Sequence, residues 1–414
     1  MTETSQRAAL DDAAPSESGT TAGLLSGYLV VELADLSGQL CGRILGDLGA
    51  EVIKIEPIEG DPVRRLSPRH DGESLRFAYL NSGKRSVVLD LETSEAQELL
   101  RDLVASSDIL ITTYSESAMA SLGLPLESLT ERFPRLVDVS ITGFGRKGPY
   151  SQFRSPDIVA MAMGGLMGIS GAPDMAPVHA PETQAYYFAN VFAAQGALLG
   201  LFRRESNYGR GGSVDVSIVQ AMASIEQLVR IYGHENRIVQ RTGSQHKHVA
   251  PARIYPTSDG FVSLFVTDHH WEKFLALWPD RPADLDSPEL LRTHDRMAQL
   301  DVINKHVRQF ASSFTTHKFV ELMNSGGVPC TPVNSLAGFL ADPQTTERKL
   351  LQSVNHPGLP EAQQVGFPAL LDRIRPVVNV APRLGEHTRA TLVRYLRLTD
   401  EQIDELARNG TVGS

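Results

Sequence analysis

Apolar positions along the chain follow two alternating rhythms, one of short unbroken runs and one of helical spacing. The runs Leu29-Val30-Val31-Glu32-Leu33, Val52-Ile53-Lys54-Ile55, Ser86-Val87-Val88-Leu89-Asp90, Asp108-Ile109-Leu110-Ile111 and Leu136 to Ile141 have the length and β-branched content of buried strands. Gly38 to Leu48 and Ser94 to Ser106 repeat apolar side chains at the spacing that lines one face of a helix. Strand and helix in turn predict parallel βαβ units in an α/β fold, with helices on both faces of the sheet.

A long apolar helix is expected from Ala185 to Phe202, then a glycine turn at Gly209-Arg210-Gly211-Gly212 and a strand from Ser213 to Ile218. Beyond Met222 the rhythm changes. Ala252 to Val262 reads as strand, turn, strand, and helices follow from Trp271 to about Asn324. The stretch 224–332 is therefore expected to form a smaller α+β domain. Residues 333–414 are expected to return to the large domain that occupies 24–223.

The chain has 414 residues, enough for two domains. Its formal net charge of -10 argues against a nucleic-acid partner, which would need a basic face to neutralise phosphates. No unbroken apolar run approaches the roughly 18 residues that span a bilayer, so no membrane partner is expected. Residues 1–23 are rich in Ser, Thr, Ala and acidic residues and lack a secretory apolar core; a disordered tail is the expectation. Two cysteines, Cys41 and Cys330, make no disulfide framework and suit a reducing cytoplasm, the expected compartment.

Several chemistries are disfavoured by what the motifs lack. The first strand-to-helix turn reads Asp35-Leu36-Ser37-Gly38-Gln39-Leu40-Cys41-Gly42, a GxxxG spacing suited to close helix packing rather than a pyrophosphate cradle. A P-loop and a GxSxG elbow are missing. His246-Lys247-His248 and His269-His270 have no acidic companions at metal-ligand spacing, so no metal is expected.

A set of phrases in fixed order is more informative. Leu48 to Pro57 (LGAEVIKIEP) leads to Gly60-Asp61-Pro62 and Arg64; Asn81 to Leu91 (NSGKRSVVLDL) follows. Then come Pro134-Arg135-Leu136, Ile141 to Tyr150 (ITGFGRKGPY), Asp157 before Met163-Gly164-Gly165-Leu166-Met167, Gly209 to Ser217 (GRGGSVDVS), Gly327 to Val333 (GVPCTPV) and Ala381 to Thr388 (APRLGEHT). Together they resemble the class III CoA-transferase family, the CaiB/BaiF type, from about residue 25 to the C-terminus.

The resemblance implies a Rossmann-like large domain built from both chain ends, a small middle domain, and two chains interlocked as a dimer. It also implies transfer of CoA from an acyl-CoA thioester to a carboxylic acid, with no cofactor beyond the coenzyme A substrate. In the family an aspartate attacks the acyl carbonyl to form a mixed anhydride and then carries CoA as a thioester, a role that demands a carboxylate. Counting from Pro177 and back from Arg204 places that aspartate at Tyr186. A phenol with an ordinary pKa near 10 is neither the required nucleophile nor an anhydride partner. Glu182, four residues earlier, is a candidate displaced nucleophile. Gly38, Asp157 and Tyr186 are expected to wall the pocket, with Asp157 as wall or helix cap.

The coenzyme cradle departs from the pattern too. Pro57, Glu92, and Thr113 with Ser121 stand where the resemblance implies basic or polar groups, leaving Lys84 and Arg85 as candidate CoA contacts. The chain is thus most like the subunit without the aspartate in two-chain members, such as those acting on benzylsuccinate, and its expected partner is a homologous subunit that keeps it. Three alternatives stand beside this: an active homomeric transferase using Glu182, an isomerase of the α-methylacyl-CoA racemase kind, and a scaffold without CoA chemistry. For the isomerase, Asp157 matches one member of a His/Asp pair, but no histidine lies between His70 and His179 to match the other.

Overall fold

The computed structural model describes residues 23–224, 232–234, 236, 238–356, 358–370 and 375–413. The expected tail, Gly23 apart, lies outside them. Two compact units emerge from chain packing. One takes the chain up to Ser140 with Ala193–Val214 and Gln352–Ser414; the other takes Ile141–Phe192 and Asp215–Leu351.

Strands form at the five apolar runs, β1 (Leu29–Leu33), β2 (Glu51–Glu56), β3 (Arg85–Leu89), β4 (Ile109–Thr112) and β5 (Val137–Thr142), and after the glycine turn, β6 (Gly212–Ser217). With the C-terminal strand Val412–Gly413 they make a seven-stranded sheet, ordered C-terminal strand, β3, β2, β1, β4, β5, β6. The pairs β3–β2, β2–β1, β1–β4 and β4–β5 are parallel. The order 3-2-1-4-5 is that of a Rossmann sheet. Val412 pairs antiparallel with Leu89, so the two chain ends share one sheet.

Among the helices are α1 (Gln39–Asp47), α2 (Ser94–Ser106), α3 (Asp157–Met163), α4 (Gln184–Ser206) and α5 (Ile218–Ser224). α2 starts where the Thr93 hydroxyl accepts from the Ala96 N–H, with Glu95 in its first turn, and it buries Ala96, Leu99, Leu100, Leu103 and Val104. In α4 the buried positions Ala185, Ala189, Ala193, Ala197 and Leu201 recur every four residues, one face of a helix. Small residues let α4 approach closely: a Cβ added at Gly200 would lie 2.5 Å from Val137 and one at Gly196 2.6 Å from Val214. By length and composition alone α4 could cross a membrane, although it holds no unbroken apolar run of that length; its alanines supply much of its apolar character, and the stripe they form is buried within the fold.

The second unit holds a three-stranded antiparallel sheet, β7 (Ala252–Pro256), β8 (Phe261–Phe265) and β9 (Cys330–Pro332), with β8 central. Its core gathers Trp271, Phe274, Trp278, Phe310 and Phe319, with Trp278 stacked on Phe310 at 4.2 Å. The expected small domain, 224–332, lies within this unit, which also takes in 141–192, 215–223 and 333–351. Part of the reason is α3 packing on α5: a Cβ on Gly164 would come within 2.6 Å of the Met222 Cβ.

Candidate functional site

Tyr186 stands in the first turn of α4, where backbone N–H groups have no carbonyl partner within the helix. Its N–H donates to Asp157 Oδ1 at 3.0 Å, and its phenol donates to the Ser155 carbonyl at 3.3 Å. Asp157 opens α3 and is buried. Its carboxylate thus caps α4, where the helix macrodipole favours negative charge.

Against the same carboxylate lies His179, its Nε2 3.4 Å from Asp157 Oδ2, with the histidine side chain 31% exposed. Sequence reasoning missed this pair because it sought a histidine only between His70 and His179, whereas the fold brings His179 itself to Asp157. Glu182 is exposed and adopts φ 60°. A non-glycine residue in that left-handed region carries strain of about 1–3 kcal/mol, a feature that concentrates at functional sites.

The first unit brings together a second group of ionisable residues, most of them unforeseen. Lys84 Nζ donates to both Glu32 oxygens at 2.8 Å, to the Gln39 carbonyl at 2.7 Å and to Asn81 Oδ1 at 3.0 Å. Lys54 Nζ meets Asp61 Oδ2 at 2.7 Å and Glu32 Oε1 at 3.6 Å. Gln39 Nε2 donates to Asp61 at 2.8 Å. Glu56 accepts Arg64 Nε and Nη2, both at 2.7 Å, together with the Ser86 hydroxyl at 2.6 Å and the Asp61 N–H at 3.0 Å.

Burial and pairing compete in this group. Burial pushes the Lys84 ammonium down to about 8 against the pull of Glu32, and neighbouring Lys54 adds to the drop. For Lys54 burial acts the same way, but Glu32 and Asp61 outweigh it and hold the ammonium above its ordinary value. Glu56 is pushed up by burial, yet the Arg64 fork holds its carboxyl below the usual range. The sequence carried a signal for these pairs: Glu32 and Lys54 are charges inside runs read as buried strands, and Glu56 directly follows one, where a charge needs a partner.

Lys84, expected to meet a coenzyme phosphate, has a side chain with no exposure and more acceptors than protons. It holds the network together, and a phosphate would need other donors. Arg85 pairs with Glu51 at 2.9 Å and keeps partial exposure. Gly38 is the buried cap of α1, closing its turn through an N–H donated to the Asp35 carbonyl at 3.0 Å. Pro57, Glu92 and Ser121 are exposed, and Thr113 accepts the Asp35 N–H at 3.0 Å, so none brings a cation.

Two of the ordered phrases have structural work. Gly211 N–H donates to Pro134 O at 2.8 Å and Gly212 N–H to Leu136 O at 3.1 Å, and a Cβ at Gly211 would sit 2.1 Å from the Leu136 oxygen. Arg204 clamps the same strand entry through Arg135 O at 3.0 Å and Asp108 at 2.9 Å.

Comparison with known proteins fits this architecture. The family model described as CoA-transferase family III matches residues 25–388. The beta subunit of succinyl-CoA–L-malate CoA-transferase from Chloroflexus aurantiacus is 31% identical, over 94% of this chain and 98% of its own length. The BbsE subunit of succinyl-CoA:(R)-benzylsuccinate CoA-transferase from Thauera aromatica is 29% identical over 94% of this chain and 98% of that one. Among solved structures, a CaiB/BaiF family protein from Brucella suis superposes with a TM-score of 0.81 at 28% identity, covering 91% of this chain and all of the other.

Proposed function

Because this chain belongs to CoA-transferase family III, we propose that it is the non-catalytic subunit of a two-chain, cytoplasmic transferase that moves CoA between an acyl-CoA thioester and a carboxylic acid. The observation that carries the reading is Tyr186. At the start of α4, where the family chemistry calls for a carboxylate, this chain holds a phenol bonded to a backbone carbonyl. A carboxylate that could form an anhydride is replaced by a group that cannot. Two relatives whose names mark them as subunits of larger transferases support the two-chain form. The partner is a homologous chain that keeps the aspartate.

Expression of this chain alone and together with such a homologue tests the reading. CoA transfer from succinyl-CoA to an acceptor acid is expected only from the pair; transfer by the single chain would refute it. In the pair, Tyr186→Phe is expected to leave the transfer rate within about twofold, since the phenol takes no part in acyl capture.

A second reading is favoured by the strained backbone of Glu182 beside α4. There the chain is itself a transferase with a displaced nucleophile. Glu182→Gln would then abolish transfer, and survival of full activity in that variant removes the reading.

A further inference from the structure

We propose that His179, oriented by Asp157, is a general base that lets this site hydrolyse acyl-CoA thioesters; the inference rests on the reading that the fold presents acyl-CoA to the start of α4, whichever chain cradles the coenzyme. The starting point is the division of labour within the Asp157 carboxylate. Oδ1 accepts the Tyr186 N–H at 3.0 Å, which fixes the carboxylate against the positive end of a 23-residue helix. Oδ2 then faces His179 Nε2 at 3.4 Å. A carboxylate accepting from Nε2 holds the ring proton on that nitrogen and leaves Nδ1 with a lone pair. Among the described residues no hydrogen bond to Nδ1 is found, and the side chain is 31% exposed, so water reaches it.

A carboxylate holding one imidazole nitrogen while the other stays open is the arrangement of a general base. What it would act on follows from what α4 lacks. A carboxylate in the first turn would capture the acyl group before water could. With Tyr186 bonded to Ser155 in that place, water is the remaining nucleophile.

The step balances without a further reactant. Nδ1 takes a proton from water as its oxygen bonds to the thioester carbonyl carbon. The tetrahedral adduct then collapses, the C–S bond breaks, and the departing thiolate takes the proton back from the imidazolium. A free acid and CoA are released. Asp157 touches no reacting atom and is a positioning residue; His179 is the catalytic one.

The test uses the full chain, alone and with its homologue, supplied with acetyl-CoA, succinyl-CoA or benzoyl-CoA and no acceptor acid. CoA release is followed by thiol titration in 18O-water, and binding of each thioester is measured separately by calorimetry. Cys41 and Cys330 are buried, their thiols pushed upward by burial, and add little background. Hydrolysis placing one 18O in the released acid is expected, with His179→Gln lowering kcat about 100-fold while thioester affinity is kept. Asp157→Asn can still accept the Tyr186 N–H, but its amide would donate to Nε2 and force the ring proton onto Nδ1; kcat is expected to fall at least about tenfold with KM unchanged. Bound thioester with no release, or equal release from His179→Gln, overturns the inference alone. No binding by the chain or the pair overturns the CoA reading beneath it, and the inference with it.

Discussion

Replacing Arg64 by alanine is expected to lower the unfolding free energy by about 3–5 kcal/mol at neutral pH, the cost of leaving one partner of a buried ion pair behind. Glu56 has no side-chain exposure, and Arg64 supplies two of its four hydrogen bonds in a bidentate fork. The guanidinium also packs over the Phe77 ring at 3.7 Å and donates to the Pro382 carbonyl, so the variant loses a tie to the C-terminal segment as well. The pH dependence separates charge from packing. In the wild type the carboxyl is held below its ordinary value of 4.5, so its contribution is present above that value and is lost as pH falls through the folded value. Without Arg64, burial dominates and the neutral acid becomes the better-tolerated form. The gap between wild type and variant is therefore expected to narrow on acidification. Urea unfolding followed from pH 7 down to pH 4 measures this; a gap that stays constant would assign the loss to packing alone.

Gly42→Ala should be nearly as damaging, by about 2–3 kcal/mol, although it adds a single methyl group to a helix. The added Cβ would lie 2.0 Å from Glu32 Oε2 and 3.0 Å from Glu32 Cδ. α1 can approach β1 this closely only because residue 42 has no side chain. Relief requires the Glu32 carboxylate to move away from Lys84, whose amine it holds through two bonds of 2.8 Å, and neither group can reach water. An alanine in an ordinary helix would stabilise relative to glycine, so the sign of the effect is diagnostic. Thermal unfolding of Gly42→Ala is the check, and an unchanged or raised midpoint would contradict the close-approach explanation.

How much of this the chain announces depends on whether an interaction is local. β1 reads off the sequence residue for residue and β2 to β5 to within one or two, because each is a short β-branched run buried on both faces, the pattern a parallel sheet demands. α4 was legible from its apolar content, and its buried four-residue stripe of alanines explains why. The GxxxG at Gly38 and Gly42 was read as helix packing, and at Gly42 the Glu32 carboxylate leaves no room for a side chain. Pairings across distant segments were not legible. Gly60-Asp61-Pro62 and Arg64 stood out as a phrase, but nothing local says that Asp61 seeks Lys54 or that Arg64 seeks Glu56. His179 was beyond reach for the same reason: its meeting with Asp157 depends on the path of an irregular loop, which hydrophobic periodicity does not encode. Lys84 misled because a lysine before a strand looks available, and only the fold shows its amine enclosed by Glu32, Gln39 and Asn81.

The central claim is that no carboxylate of this chain carries the acyl group or CoA during transfer. Peptide mass spectrometry tests it most directly. The active pair is incubated with succinyl-CoA, quenched in acid and digested, and both chains are searched for a CoA thioester on Asp or Glu. The adduct is expected on the homologous partner alone, with the peptide spanning Glu182 and Tyr186 at its unmodified mass. A CoA adduct on Glu182, or on any carboxylate of this chain, would contradict the account.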